Sequence, residues 1–238
     1  MEQDLKLDTA DGPMACFEAA PDGDARGAVI VVQEAFGVNE HIRDVTRRFA
    51  AAGHHAIAPA LFHRAGGGTA DYGDFAAVMP LFEGVSDEGI LMDVDAGREH
   101  LHGAGFADAA IGIVGFCFGG RVTFLASARR ALGAGVGFYG GGIASKGLLP
   151  FDALIGEAAT LRTPWLGLFG DEDASIPVGD VEALREALKA APVPAEIVRY
   201  PGAQHGFHCD ARPDNYHAEA SSDAWARTLA WLETHLAD

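Results

Sequence analysis

The run Ile111-Gly112-Ile113-Val114-Gly115-Phe116-Cys117-Phe118-Gly119-Gly120 constrains this chain more than any other. An apolar strand must turn there at once into a helix, with a thiol at the turn. Gly115 and Gly119, two residues before and two after Cys117, permit a strained turn and a close approach of helix to strand. The unpaired N–H groups and positive dipole end of the following helix favour a thiolate at Cys117. A nucleophile fits this position, and so does a buried structural cysteine in a glycine-rich turn.

The surrounding pattern is that of an α/β domain. Lys6 to Thr9 and Met14 to Ala19 flank the turn Asp11-Gly12-Pro13 and read as an antiparallel hairpin. Ala28 to Val32 is a continuous apolar run, the mark of a strand buried on both faces, followed by a helix from about Glu40 to Ala52 and a strand from Ala56 to Pro59. Helical periodicity covers Asp74 to Phe82 and Asp87 to Leu101. Ala110 to Gly115, Gly135 to Tyr139, Trp165 to Gly170 and Glu196 to Tyr200 read as further strands. Gly120 to Ala131, Val178 to Ala190 and Ala218 to Thr234 read as helices between and after them. This alternation predicts a mostly parallel central sheet with helices on both faces, and 238 residues fit it as a single domain, 1–238.

A formal net charge of -17 argues against nucleic acid or an anionic membrane surface as partner. The three cysteines, Cys16, Cys117 and Cys209, lie far apart, so neither a disulfide framework nor a zinc site is expected from their spacing. No signal-peptide pattern opens the chain and no apolar run spans a bilayer, which predicts a cytoplasmic protein, a monomer or small homo-oligomer.

A thiol nucleophile needs a base, and the base an orienting acid, on loops at the same sheet edge. Asp171-Glu172-Asp173-Ala174-Ser175-Ile176-Pro177 follows one predicted strand and Pro201-Gly202-Ala203-Gln204-His205-Gly206-Phe207 the next. The order Cys117, Asp173, His205 is that of α/β-hydrolases. Asp171, two positions upstream, is the alternative acid and His208 the alternative base.

Five segments in order, Gln33-Glu34-Ala35-Phe36-Gly37, Gly115 to Gly120, Phe138-Tyr139-Gly140, Gly170 to Pro177 and His205-Gly206-Phe207, resemble the dienelactone hydrolase family along nearly the whole chain. The resemblance implies an α/β-hydrolase fold and hydrolysis of lactones or activated esters without cofactor or metal. It implies that Glu34 contacts the resting thiol and helps take its proton, and that the backbone N–H groups of Phe118 and Ala35 form the oxyanion hole. A carboxylate beside Cys117 would keep the thiol protonated until substrate displaces it.

The family's substrate-binding arginines are not matched. Cys209 stands near the position of one, with Arg212 displaced beyond it, and no arginine lies between Ala70 and Asp95. Arg64, beside His63 in a glycine-rich loop, and Arg212 are the substitutes, and Phe36 and Tyr139 the apolar substrate contacts. The expected substrate is a small ester or lactone, with neutral esters preferred. A broad ester or organophosphate triester hydrolase with the same triad is the alternative enzyme, and a small-ligand or redox sensor on the same fold the alternative of another class.

Overall fold

The structure, a computed structural model, describes residues 1–237. At its centre lies β3 (Ala28–Val32), all five residues of which are fully buried. β4 (His55–Pro59) and β5 (Ile111–Phe116) pair parallel to it on either side, and β6 (Ala134–Phe138), β7 (Trp165–Gly170) and β8 (Ala195–Tyr200) continue the parallel sheet beyond β5. β1 (Glu2–Thr9) and β2 (Gly12–Ala19) form the expected hairpin, with β2 antiparallel to β4. The order of the eight strands is β1-β2-β4-β3-β5-β6-β7-β8. β1 starts earlier than its hydrophobic pattern suggests, because pairing continues out to Glu2 opposite Ala19.

α1 (Glu40–Ala51) starts where the Asn39 side chain accepts the Ile42 N–H, and α3 (Asp87–Gly103) where Ser86 accepts the Gly89 N–H. Between them lies the short α2 (Phe75–Leu81). α3 and α4 (Phe118–Arg129) touch on one face of the sheet. α1 and α6 (Ala218–His235) cover the other, where Phe49 and Trp225 meet at 4.6 Å between ring centroids. α5 (Val178–Leu188) packs on β8 and on the 3-10 segment Ile155–Thr160, which carries no helical periodicity in the sequence. Among the described residues no helix is long and apolar enough to cross a membrane.

The first turn of α4 rests on backbone. A Cβ at Gly119 would lie 2.4 Å from the Val32 carbonyl oxygen, and one at Gly115 2.2 Å from that of Gly119. Parallel β strands therefore meet the cysteine-bearing turn without side chains between them.

Gly119→Ala is expected to destabilise the protein by about 1–3 kcal/mol in urea unfolding, the usual cost of forcing atoms into a packed core. Gly103→Ala, at an open position ending α3, is expected to be neutral or slightly stabilising. Equal effects at both sites would mean that the close approach carries no energetic weight.

Candidate active site

Cys117 sits between β5 and α4 with φ 55 and ψ -114, a backbone conformation that a residue with a side chain rarely adopts. Its N–H donates to the Phe138 carbonyl at 3.0 Å, which fixes the turn to β6. The thiol is partly exposed, whereas Cys16 and Cys209 are buried. Burial, reinforced by the Glu34 carboxylate, pushes the Cys209 thiol up to about 12, and burial with Glu18 raises Cys16 as well. Neither competes as a thiolate at neutral pH. The N–H groups of Phe118, first in α4, and of Ala35, after β3, donate to no backbone carbonyl among the described residues.

The loops after β7 and β8 bring the acid and the base together. His205 Nδ1 lies 2.6 Å from Asp173 Oδ2, and this pairing leaves Nε2 for the thiol. Asp173 is almost fully buried and its other oxygen accepts both the Ser175 hydroxyl at 2.6 Å and the Ser175 N–H at 2.9 Å. Ser175 thus locks the carboxylate in the orientation that serves His205. Its signal in the sequence is an Asp two residues before a Ser, the spacing of an Asx turn.

Burial by itself lowers the His205 pKa, but the neighbouring Cys117 and the Asp173 hydrogen bond outweigh it and raise it to about 10. Burial raises the Asp173 carboxyl, and the His205 hydrogen bond and charge more than reverse this, leaving it below its ordinary value. Both shifts favour a charged pair.

The two alternatives are occupied elsewhere. Asp171 is held by Arg199 at 2.7 and 2.9 Å. His208 is buried between Phe116 and Trp225, its Nδ1 2.8 Å from Ser221 Oγ, and burial lowers it to about 3.

Glu34 has a partner that the sequence did not suggest. It is fully buried, its Oε2 accepts the Tyr72 hydroxyl at 2.8 Å, and its Oε1 has no hydrogen-bond partner among the described residues. An O–H donor to a carboxylate is the stronger partner, since a thiol is a weak donor. Tyr72, which sequence reasoning missed, also accepts from the Cys209 thiol at 3.4 Å. Glu34, His41 and Cys209 bring one ligand-type atom each to within 4.8 Å of one another, a donor set that could suit a metal. The Tyr139 hydroxyl is buried beside this group without a protein partner, and it feels both Glu34 and Cys117.

Several expected substrate contacts are structural instead. Arg64 is committed to Asp93 at 2.6 and 3.0 Å and to Asp11 at 2.7 Å, and His63 Nε2 lies 3.0 Å from Asp93. A buried carboxylate needs such partners, so neither residue is free for a ligand. Phe36 and Tyr139 are buried, Phe36 beneath Tyr72 and Phe75, and Tyr139 against the His205 ring at 5.2 Å. They shape the site from behind, while Phe75 of α2, 5.9 Å from the Phe36 ring, is exposed. Arg212 lies over the Tyr72 ring at 5.2 Å and makes no ion pair with a carboxylate among the described residues.

The profile of the dienelactone hydrolase family matches residues 14–236. A Methylorubrum extorquens protein named as a carboxymethylenebutenolidase candidate is 38% identical over 235 residues, covering 98% of this chain and 80% of the relative. An Escherichia coli K12 relative of the same name is 43% identical over 212 residues, 87% of this chain and 76% of its own. The crystal structure of a dienelactone hydrolase candidate from Klebsiella pneumoniae superposes with a TM-score of 0.90 at 39% identity and covers 98% of both chains.

Asp173→Asn is expected to lower kcat by a factor of order 10³–10⁴, because only the residue bonded to His205 fixes its tautomer. Asp171→Asn should change kcat less than threefold, and so should His208→Ala in the fraction that remains folded. The rates, measured on one chromogenic ester, would reassign the acid if the order of the two aspartates were reversed. With the imidazolium favoured up to about 10, the rate should show no inflection near 6.5 and should fall as pH rises through about 10.

Proposed function

The chain belongs to the dienelactone hydrolase family of lactone and ester hydrolases, and we propose that it cuts its substrate with Cys117, His205 and Asp173 through an acyl thioester. The observation that carries this reading is the 2.6 Å Asp173–His205 contact, made on loops that converge on a strained cysteine at a helix N-terminus. Cys117 Sγ attacks the carbonyl carbon, and the oxyanion is taken up by the Phe118 and Ala35 N–H groups. Collapse breaks the ester C–O bond as His205 Nε2 gives its proton to the leaving alkoxide. In a lactone the alkoxide remains tethered, so the acyl-enzyme carries its own leaving group. Water then gives a proton to His205 and attacks the thioester, and the thiolate departs as the acid is released. Glu34 keeps Oε1 without a hydrogen-bond partner among the described residues while Oε2 holds Tyr72, so one carboxylate oxygen remains for the thiol proton in this scheme.

Arg212 bears on the substrate. A cation stacked on Tyr72 and Phe36 without a carboxylate partner among the described residues, close to Gly206 beside the base, is suited to a charged acyl group. This alters the expectation that neutral esters are preferred, which rested on the net charge of -17 and on the lack of an evident arginine pair. We therefore read the substrate as a small lactone or ester that carries a carboxylate.

Iodoacetamide should modify Cys117 ahead of Cys16 and Cys209 and abolish turnover in proportion. Full inactivation with Cys117 unmodified in a peptide map would remove it as nucleophile. Arg212→Ala should lower kcat/KM for a carboxylate-bearing ester about 10–100-fold and leave a size-matched neutral ester within threefold, the loss of one charge-assisted contact. Equal losses on both esters would assign Arg212 to holding Tyr72 and Phe36 in place.

A further inference from the structure

At the opposite edge of the sheet from Cys117, three side chains from three elements converge. Glu18 lies near the end of β2, His55 at the start of β4 and His100 in the last turn of α3. The catalytic loops leave the carboxyl ends of the parallel strands, whereas His55 opens β4, so this cluster belongs to the amino-terminal edge. Glu18 Oε1 lies 2.7 Å from His55 Nε2 and 2.7 Å from His100 Nε2. The three ligand-type atoms all lie within 4.8 Å of one another. We propose that Glu18, His55 and His100 bind a first-row divalent transition metal, with zinc the fitting ion.

Two neutral imidazoles and one carboxylate make a donor set that zinc takes with a further position open to water. Bonds of about 2.0–2.1 Å in tetrahedral geometry separate ligand atoms by roughly 3.3 Å, so the two 2.7 Å contacts need to open by about 0.6 Å. Side-chain rotation supplies that. The surroundings are those of a supported ligand. Glu18 is almost wholly buried, and its other oxygen accepts the Gln3 amide at 2.5 Å, which orients the carboxylate toward the two rings. The His55 ring stands edge-on to Phe106 at 5.5 Å between centroids.

Access is also provided. The His55 and His100 side chains are 16% and 29% exposed, which leaves a path for the ion and for solvent at the open position. Protons are the competing occupants, since each Nε2–H can donate to the same carboxylate oxygen. A metal replaces both of those hydrogen bonds with three coordinate bonds, and the net charge of -17 raises the local concentration of cations over that of anions. The bound ion would tie the N-terminal hairpin to β4 and α3, so its effect falls on stability and not on the hydrolytic chemistry.

The test uses full-length protein stripped with chelator, and ZnCl2 as the probe. Calorimetric titration should give one zinc per chain, and zinc at about 100 times its Kd should raise Tm by about 5–10 °C. His100→Ala and Glu18→Gln should each weaken zinc binding at least tenfold and remove most of that rise. His100→Gln, which keeps a polar partner for Glu18 but no imidazole, guards against a folding defect, and ester hydrolysis by this variant should stay within twofold of the parent. Cys117→Ala should bind zinc as the parent does. Failure of the parent to bind zinc would overturn the proposal, as would zinc binding lost in Cys117→Ala and retained in His100→Gln. The latter pattern would place the ion on the catalytic thiol and leave the hydrolase reading intact.

Discussion

The close contact between the first turn of α4 and the backbone of β3 and β5 is the constraint on which the rest of the site depends. With glycine at 115 and 119, the helix begins within van der Waals reach of strand carbonyls, and Cys117 is driven into a positive φ that lifts its side chain off the sheet. The same placement leaves the first N–H of α4 without a backbone acceptor. Strain, thiol exposure and a free donor follow from one packing event, so none of them can be altered alone. The parallel sheet then supplies the partners, because β7 and β8 end at the same edge and deliver Asp173 and His205.

Charge pairing decides which polar groups remain for chemistry. With 34 acidic residues against 17 lysines and arginines, most cations are claimed. Arg199 claims Asp171, Arg64 claims the buried Asp93, and Arg48 claims Asp210. Asp173 escapes an arginine and takes His205 and Ser175 instead. An arginine on Asp173 would hold its charge without orienting an imidazole; a histidine there is raised and aimed at the thiol. Arg212 is left stacked on aromatic rings, where its charge is available to a ligand.

The buried group around Glu34 is less accessible to sequence reasoning. Glu34 was legible as a carboxylate after the first parallel strand, but its partner was not. Tyr72 lies 38 residues away in a segment without strand or helix pattern, and only the folded loop brings its hydroxyl to the carboxylate. The same holds for Cys209, whose thiol lies 3.4 Å from a tyrosine 137 residues earlier in the chain.

What the sequence determined by itself is what local patterning controls. The apolar runs at Ala28–Val32 and Ile111–Phe116 specify buried parallel strands, the glycines around Cys117 specify the sharp turn, and the order of cysteine, aspartate and histidine specifies which loops carry them. These depend on neighbours within a few residues, or on the regular geometry of a parallel sheet. Tertiary structure alone decided the rest: that Asp173 faces His205 while Asp171 faces Arg199, that Arg64 is spent on Asp93, that Phe36 and Tyr139 are buried, and that Glu18, His55 and His100 meet at the far edge. Hydrogen bonds and ion pairs are short-ranged and directional, so which of many available partners a side chain takes is fixed only when distant segments are packed to within about 3 Å.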